Sequence, residues 1–341
     1  MMKSILQKMI DGQNLTQAET NRVMMEMMDG RVSSVQMASF LTALRMKGET
    51  VDELIGLAKG IRNQAAPMKY QFEHAVDTCG TGGDGGKTFN ISTAAAIVAS
   101  AAGVPVIKHG NRAVSSKSGS ADVLEALNMN IHLNQDEAAR LMEKAGLCFL
   151  FAPLYHQAMK HVMPTRIKLG FRTCFNLLGP LTNPARVKIQ LLGIYDPRLT
   201  EKVAYVLAAL GVERALVVAG LDGLDEITVS DASRISELKD GEVRTYEVTP
   251  ESLGVSRSPL AEIAGGTAHE NARIIKQIFQ GKPGAPADIV SVNAGAVFYL
   301  SNRAGSLAEG TRYAKEIIQS GQAEMQLNKV IQASREVSYV S

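Results

Sequence analysis

Residues 80–86 read Gly-Thr-Gly-Gly-Asp-Gly-Gly, five glycines in seven positions. Glycine loses more backbone freedom on folding than any other residue, so such a loop persists where the backbone must approach something closely or take positive φ. The preceding AVDTC reads as a short buried strand, and the following TFNISTAAAIVASAAG as an Ala-rich helix opening at Asn90 or Ser92. The pattern then recurs. VPVIKHG is a second strand, NRAVSSKSGS a second polar loop, and ADVLEALN a second helix capped by Ser118 or Ser120. Strand, Gly/Ser loop and helix twice in succession predict an α/β domain with a mainly parallel central sheet flanked by helices.

Further along, RALVVAG is another buried strand. EITVS and SRISELKDGEVRTYEVT add hairpin-like strands around Asp240-Gly241. HENARIIKQIFQ is a helix, and ADIVSVNAGAVFYL a strand or a buried helix. Residues 1–66 follow a different grammar and read as a small all-helical unit. Thr16 with Glu19, Ser33 with Gln36 and Thr50 with Glu53 form three capping boxes. Met37, Phe40, Leu41 and Leu44 repeat at helical spacing, and Gly30 and Gly48 end their helices. The methionines Met24, Met25, Met27 and Met28 suit a core or a helix-packing surface, and a surplus apolar face there would suit a dimer interface.

Bulk properties exclude several classes. The 341 residues leave room for two domains. A net charge of +2 argues against a dedicated nucleic-acid binder. No apolar run approaches the roughly 18 residues of a membrane span, and Lys8 and Asp11 interrupt any signal-peptide core at the N-terminus. Cys79, Cys148 and Cys174 are too far apart for a zinc site and odd in number, which points to a reducing, cytoplasmic compartment. Cys79 has no base beside it in sequence and reads as a bland neighbour of the loop.

Two phosphate motifs almost fit the glycine loop. GTGGDG matches the dinucleotide pattern, but the second strand ends in Lys108-His109 where an acidic residue should hold ribose hydroxyls. The stretch ending Gly86-Lys87-Thr88 imitates a P-loop, but the first glycine of that pattern falls on Thr81. What remains is an anion cradle followed by Asn90-Ile91-Ser92-Thr93 at a helix N-terminus, where N–H groups and the helix dipole favour negative charge. The second loop adds Lys108, His109, Asn111, Arg112, Ser115, Ser116, Lys117, Ser118 and Ser120. Two adjacent anion loops at the ends of neighbouring strands suit a ligand with two separated phosphate groups. Asp225 and Glu226, in LDGLDEI after the strand RALVVAG, supply hard oxygen ligands for Mg²⁺. Their side chains point different ways in an extended segment, so two ions fit.

Taken together, DTCGTGGDG, TFNIST, KHGNRAVSSKSGSADVLEAL, GFRTCFNLLGPLTNP and DGLDE resemble the anthranilate phosphoribosyltransferase family over essentially the whole chain. The resemblance implies a nucleoside-phosphorylase-like phosphoribosyltransferase: a helical domain over 1–72, joined by the helical segment 166–184, and an α/β domain over 73–165 and 185–341. It implies transfer of the phosphoribosyl group of phosphoribosyl pyrophosphate (PRPP) to anthranilate in tryptophan biosynthesis, with pyrophosphate released. The implied PRPP contacts are Gly80, Gly83, Asp84, Thr88, Asn90, Ile91, Ser92 and Thr93. They continue through Lys108, His109, Gly110, Asn111, Arg112, Ala113, Val114, Ser115 and Ser116, and end at Ser120. Anthranilate contacts fall on Gly80, Asn111 and Arg166, and ligands for two Mg²⁺ ions per subunit on Ser92, Asp225 and Glu226. Asp225, Glu226, Lys108 and His109 carry the catalytic role, His109 either in proton removal or in positioning. His156 reads as a packed or hydrogen-bonded histidine. The family implies a cytoplasmic homodimer through its helical part, with neither nucleic acid nor membrane as partner. The segment from Arg166 to Leu178 is expected to be a helix packed on the N-terminal helices.

Overall fold

The structure is a computed structural model that describes residues 1–68, 70, 72–82, 88–113 and 117–338. The first four helices are α1 (Met2–Ile10), α2 (Gln17–Met28), α3 (Ser34–Lys47) and α4 (Val51–Gln64). All three capping boxes form, with Thr16, Ser33 and Thr50 each accepting from the backbone three residues on. Gly30 and Gly48 take positive φ just past α2 and α3. α2 and α4 approach closely because Gly56 and Gly60 present no side chain. A Cβ on Gly56 would overlap Thr20, and one on Gly60 would lie 2.7 Å from Met24 Cβ. Met24, Met27 and Met28 are buried core.

The α/β part runs β1 (Val76–Gly80), α5 (Ile91–Ala101), β2 (Val106–Gly110), α6 (Ser120–Ala126), α7 (Gln135–Ala145) and β3 (Leu147–Phe151). A strap follows, carrying α8 (Ala152–Tyr155), α9 (Met163–Leu169) and α10 (Phe175–Leu178). Next come β4 (Ile189–Gly193), α11 (Thr200–Ala209), β5 (Arg214–Gly220), β6 (Ser233–Lys239) and β7 (Glu242–Val248). The chain ends in α12 (Ala268–Phe279), α13 (Ala285–Leu300), α14 (Leu307–Gln319) and α15 (Gln322–Glu336). Among the described residues the sheet has seven strands in the order β3-β2-β1-β4-β5-β6-β7. The pairs from β3 to β5 are parallel, and β5-β6 and β6-β7 are antiparallel. One apolar cluster packs α5, α7 and α12–α15 on the sheet, and the other joins the N-terminal helices, strap residues Val162 to Leu181 and α11.

Three sequence expectations change. EITVS is not a strand: residues 221–232 form turns and loops. The segment from Arg166 to Leu178 is not one helix, because Gly170 at φ 67° ends α9 before α10 begins. The cap of α6 is neither Ser118 nor Ser120 but Gly119, whose N–H donates to the Asp122 carboxylate at 2.8 Å. ADIVSVNAGAVFYL resolves as a helix, α13, buried along most of its length. The hairpin turns at Asp240 (φ 52°) and Gly241 (φ 81°), as its sequence predicts.

Candidate active site

Strand order reverses between β1 and β4, and the crevice at their C-terminal ends is where an open α/β sheet places its ligand. Three segments meet there. The chain leaving β1 carries Thr81 and Gly82, α5 opens at Ile91, and the loop after β5 carries Asp225 and Glu226. The Gly82 N–H donates to Asp225 Oδ2 at 2.7 Å and the Thr81 hydroxyl to the same oxygen at 3.3 Å. The Ser92 N–H donates to Glu226 Oε1 at 3.2 Å. The two carboxylates therefore face different partners. The acidic loop lies directly over the strand ends. A Cβ on Gly80 would sit 2.9 Å from Asp225 Oδ2, and one on Gly193 would overlap the Asp225 carbonyl oxygen.

β2 delivers two consecutive residues to opposite faces of the sheet, as strand alternation requires. Lys108 is buried, and its Nζ donates to the Thr78 carbonyl and to Ser92 Oγ, the latter at 3.2 Å. Its ammonium steadies Ser92 from beneath the crevice. Burial pushes the Lys108 ammonium down and the Asp77 carboxyl up, each opposed by the other's charge. Asp77 also accepts from the His109 N–H at 3.2 Å, which fixes the start of the second loop. His109 points the other way and meets His156 of the strap, ring centroids 5.1 Å apart. Burial holds His109 well below the ordinary imidazole range, and His156 at about 4. His109 Nε2 and both His156 ring nitrogens are buried without a well-formed hydrogen bond among the described residues. Buried polar atoms are rarely left so unless a ligand or water completes them. Cys79 is buried, and burial raises its thiol pKa, which makes it inert as the sequence suggests.

Asn90, at the start of α5, ties that helix to Ser118 ahead of α6 and to α12. Its Nδ2 donates to the Ser118 carbonyl at 3.1 Å, and its Oδ1 accepts from Asn271 of α12 at 2.9 Å. Thr88 bridges to Ala264, Ile91 is buried, and Thr93 buries a hydroxyl without a partner among the described residues. Gly110 ends β2 where a Cβ would overlap Ser120 Oγ. Asn111 accepts at its side chain from the Arg112 N–H at 2.7 Å, and at its carbonyl from the Ala121 N–H at 3.2 Å. Arg112 pairs with Asp122 and Glu125, and the Ala113 N–H donates to Asp122 at 2.9 Å. Gly83, Asp84, Val114, Ser115 and Ser116 lie outside the described residues. Arg166, on α9, is partly buried over the Phe175 ring at 4.9 Å. No described contact joins it to Gly80 or Asn111.

The donors suit Mg²⁺. Ser92 Oγ and the two carboxylates are hard oxygens at one strand-end crevice, and Mg²⁺ is usually held by one or two carboxylates together with water and substrate phosphate. Among the described residues no group of three or more His, Cys, Asp or Glu stands ready to hold a metal.

The a/b domain of the glycosyl transferase family matches residues 72–324, and that family's helical bundle domain matches residues 3–65. Anthranilate phosphoribosyltransferase of Brevibacillus brevis is 52% identical, over 97% of this chain and 97% of the relative. That of Clostridium kluyveri is 50% identical, over 97% and 99%. The chain belongs to the anthranilate phosphoribosyltransferase family. Its fold also matches the family's crystal structure from Thermus thermophilus, with a TM-score of 0.91 and 41% identity over 97% of this chain and 99% of that one. The Saccharomyces cerevisiae family member in complex with PRPP and Mg gives a TM-score of 0.89 at 29% identity, over 98% of each chain.

Two supports of this site, Asn271 and Asp122, had no role assigned from sequence, and His156 was read only as a packed or hydrogen-bonded histidine. Asn271 lies outside the quoted motifs and holds the Asn90 side chain and the Gly266 N–H, whereas Asp122, within SGSADVLEAL, secures the backbone of the second loop at Ala113 and Gly119. His156 had one available signal, its place just after LCFLF, the buried strand β3.

Proposed function

We infer that this chain transfers the 5-phosphoribosyl group of PRPP to the amine of anthranilate, giving N-(5-phosphoribosyl)anthranilate and pyrophosphate in tryptophan biosynthesis. The observation that carries the reading is the meeting of Ser92, Asp225 and Glu226 at the β1–β4 crevice, with Asn90 beside them bonded to Ser118. The bond from ribose C1 to the pyrophosphate oxygen breaks, and a bond from C1 to the amine nitrogen forms. Bound Mg²⁺ neutralises charge on the departing pyrophosphate. Asp225, Glu226 and Ser92 hold it, with two ions per subunit because the two carboxylates face different partners. Ser92, Thr93 and the second loop fix the phosphates, which places C1 for attack.

Arg166 offers a planar fork for the anthranilate carboxylate. Gly80 and Asn111 complete that subsite. The neutral rings of His109 and His156 pack against each other at the start of the second loop. Imidazoles with such depressed pKa values are weak bases, so both act in positioning. The N-aryl ammonium formed on attack is acidic enough to lose its proton without a strong base.

Residues 1–72 with 166–184 form the helical unit, and 73–165 with 185–341 the catalytic one. The chain pairs with a second copy through the helical unit, where Val35 (74% exposed) and Met46 (83%) share a face of α3 and the strap also exposes Ile167 and Phe171. Among the described residues no helix is long and apolar enough to cross a membrane, and the three cysteines are free and buried. A cytoplasmic setting suits both. The deciding experiment mixes the protein with anthranilate, PRPP and Mg²⁺ and follows anthranilate fluorescence. Its decay, dependent on all three additions, is expected; steady fluorescence would overturn the assignment.

A further inference from the structure

The loop that carries Asp225 and Glu226 has no regular secondary structure, yet its backbone is gripped from several directions. Inside the loop, the Asp222 carboxylate accepts from the Leu224 N–H at 3.1 Å and from the hydroxyls of Thr228 and Ser230. Beneath it, Gly193 leaves room for the Asp225 carbonyl. Behind it stands Asn293, fully buried on α13 among apolar residues. Asn293 Oδ1 accepts from the Ile227 N–H at 3.1 Å, and its Nδ2 donates to the Ile227 carbonyl at 2.9 Å and to the Ile289 carbonyl at 2.9 Å. A single side-chain amide thus satisfies both backbone groups of the residue after Glu226, as an antiparallel strand neighbour would. α13 is itself rigidly placed, since its Gly295 lies directly against Gly310 of α14.

A buried amide is an unusual filling for an apolar helix face, where leucine of similar size would pack without polar demands. Its bonds are spent on the residue adjoining a metal carboxylate. We propose that Asn293 is a positioning residue for the reaction: by holding both backbone groups of Ile227 it sets where the Glu226 and Asp225 carboxylates point, and so governs metal affinity without touching metal or substrate. The proposal rests on the reading of Asp225 and Glu226 as the metal-binding pair. Partners that orient metal ligands commonly affect affinity by about 10- to 100-fold when removed.

The test titrates Mn²⁺ into the full-length protein with saturating PRPP, and follows free Mn²⁺ by electron paramagnetic resonance. Asn293→Leu is expected to raise the Mn²⁺ concentration for half-saturation about tenfold or more. In steady state the Mg²⁺ requirement and the PRPP KM should rise while kcat at saturating Mg²⁺ changes much less. Ser291→Ala, which alters the same buried helix without touching Ile227, should leave Mn²⁺ binding as in the wild type. Should Asn293→Leu not fold, Asn293→Ser is measured in its place with the same expectation. Glu226→Gln separates the two levels of the argument. If it weakens Mn²⁺ binding and the Asn293 variant does not, the positioning role is wrong and the metal pair stands. If Glu226→Gln binds Mn²⁺ as the wild type does, the metal pair is wrong and the positioning role falls with it.

Discussion

Ser92 and Glu226 stand 134 positions apart in the chain, yet the Ser92 N–H donates to the Glu226 carboxylate at 3.2 Å. The contact joins the N-terminus of α5 to the loop after β5, so the favourable end of a helix dipole meets an acidic side chain. It also pre-aligns the carboxylate beside the Ser92 hydroxyl, which Lys108 holds in turn.

Replacing Asp225 and Glu226 together with alanine removes the carboxylates from the crevice and leaves the sheet untouched. Loss of one electrostatic stabiliser of a developing charge typically costs 10²- to 10³-fold, so kcat should fall at least about a hundredfold. Turnover measured against Mg²⁺ concentration checks this, and full activity with an intact Mg²⁺ response would end the assignment.

Gly193 belongs to the site although it contacts no ligand by its own chemistry. An added Cβ meets the Asp225 carbonyl oxygen, and β4 is held by parallel neighbours on both sides, so the acidic loop has to yield. A displacement of about 1 Å at a catalytic group can cost about 10²-fold in rate. Gly193→Ala should lower kcat/KM for PRPP by that order while the far-ultraviolet circular dichroism stays close to wild type. An unchanged kcat/KM would show that the loop tolerates the shift.

Acid should destabilise the protein through its buried histidines. His109 and His156 are neutral in the fold because burial depresses both, His156 to about 4. An unfolded imidazole titrates near 6.5, so below that pH the unfolded chain binds more protons and gains free energy relative to the fold. Stability is unaffected by these groups above about pH 6.5 and falls as pH drops toward about 4. For His156 alone the loss between about pH 7.5 and 5 is roughly 2 kcal/mol. Urea unfolding at about pH 7.5 and pH 5 should show a smaller acid loss for His156→Leu than for the wild type. Equal losses would mean that His156 is not a buried neutral group.

The Ala-rich helix after the glycine run was legible because alanine is the strongest helix former, and it forms as Ile91–Ala101. Asp240-Gly241 was legible because a two-residue hairpin turn needs positive φ at both positions, which Asp-Gly accepts. The acidic pair could be placed at a strand end by counting from RALVVAG. What could not be read were segments whose backbone partners are side chains. EITVS alternates like a strand, but the Ile227 N–H goes to Asn293 and the Thr228 N–H to Ser233 Oγ, so no neighbouring strand is needed. Gly119 caps α6 because Asp122 reaches back to its N–H, which nothing at position 119 announces. Lys108 and His109 read alike as members of a basic loop. Only the sheet register shows that alternation sends Lys108 to Ser92 and His109 to His156.

In the helical unit, stability concentrates at Glu53. Its side chain is fully buried, and it accepts from the Leu15 N–H at 2.9 Å, the Thr50 N–H at 2.8 Å and Lys47 Nζ at 2.8 Å. These donors belong to the α1–α2 connection, the start of α4 and the end of α3, so one carboxylate fastens three separate stretches of chain. Glu53→Ala strands two backbone N–H groups and removes the only carboxylate paired with Lys47 among the described residues, whose Nζ keeps Asn14 Oδ1 and the Gly48 carbonyl. Removing one partner of a buried pair usually costs about 3 to 5 kcal/mol, and that loss is expected here. Lys47→Met should cost less, because the carboxylate keeps its two backbone donors and the methionine chain replaces the lysine stem. Urea midpoints of the two variants, compared at constant slope, give the ranking. A Glu53→Ala protein within about 1 kcal/mol of wild type would show that the carboxylate's desolvation cancels its hydrogen bonds, and that the apolar contacts of α2 and α4 alone hold the bundle.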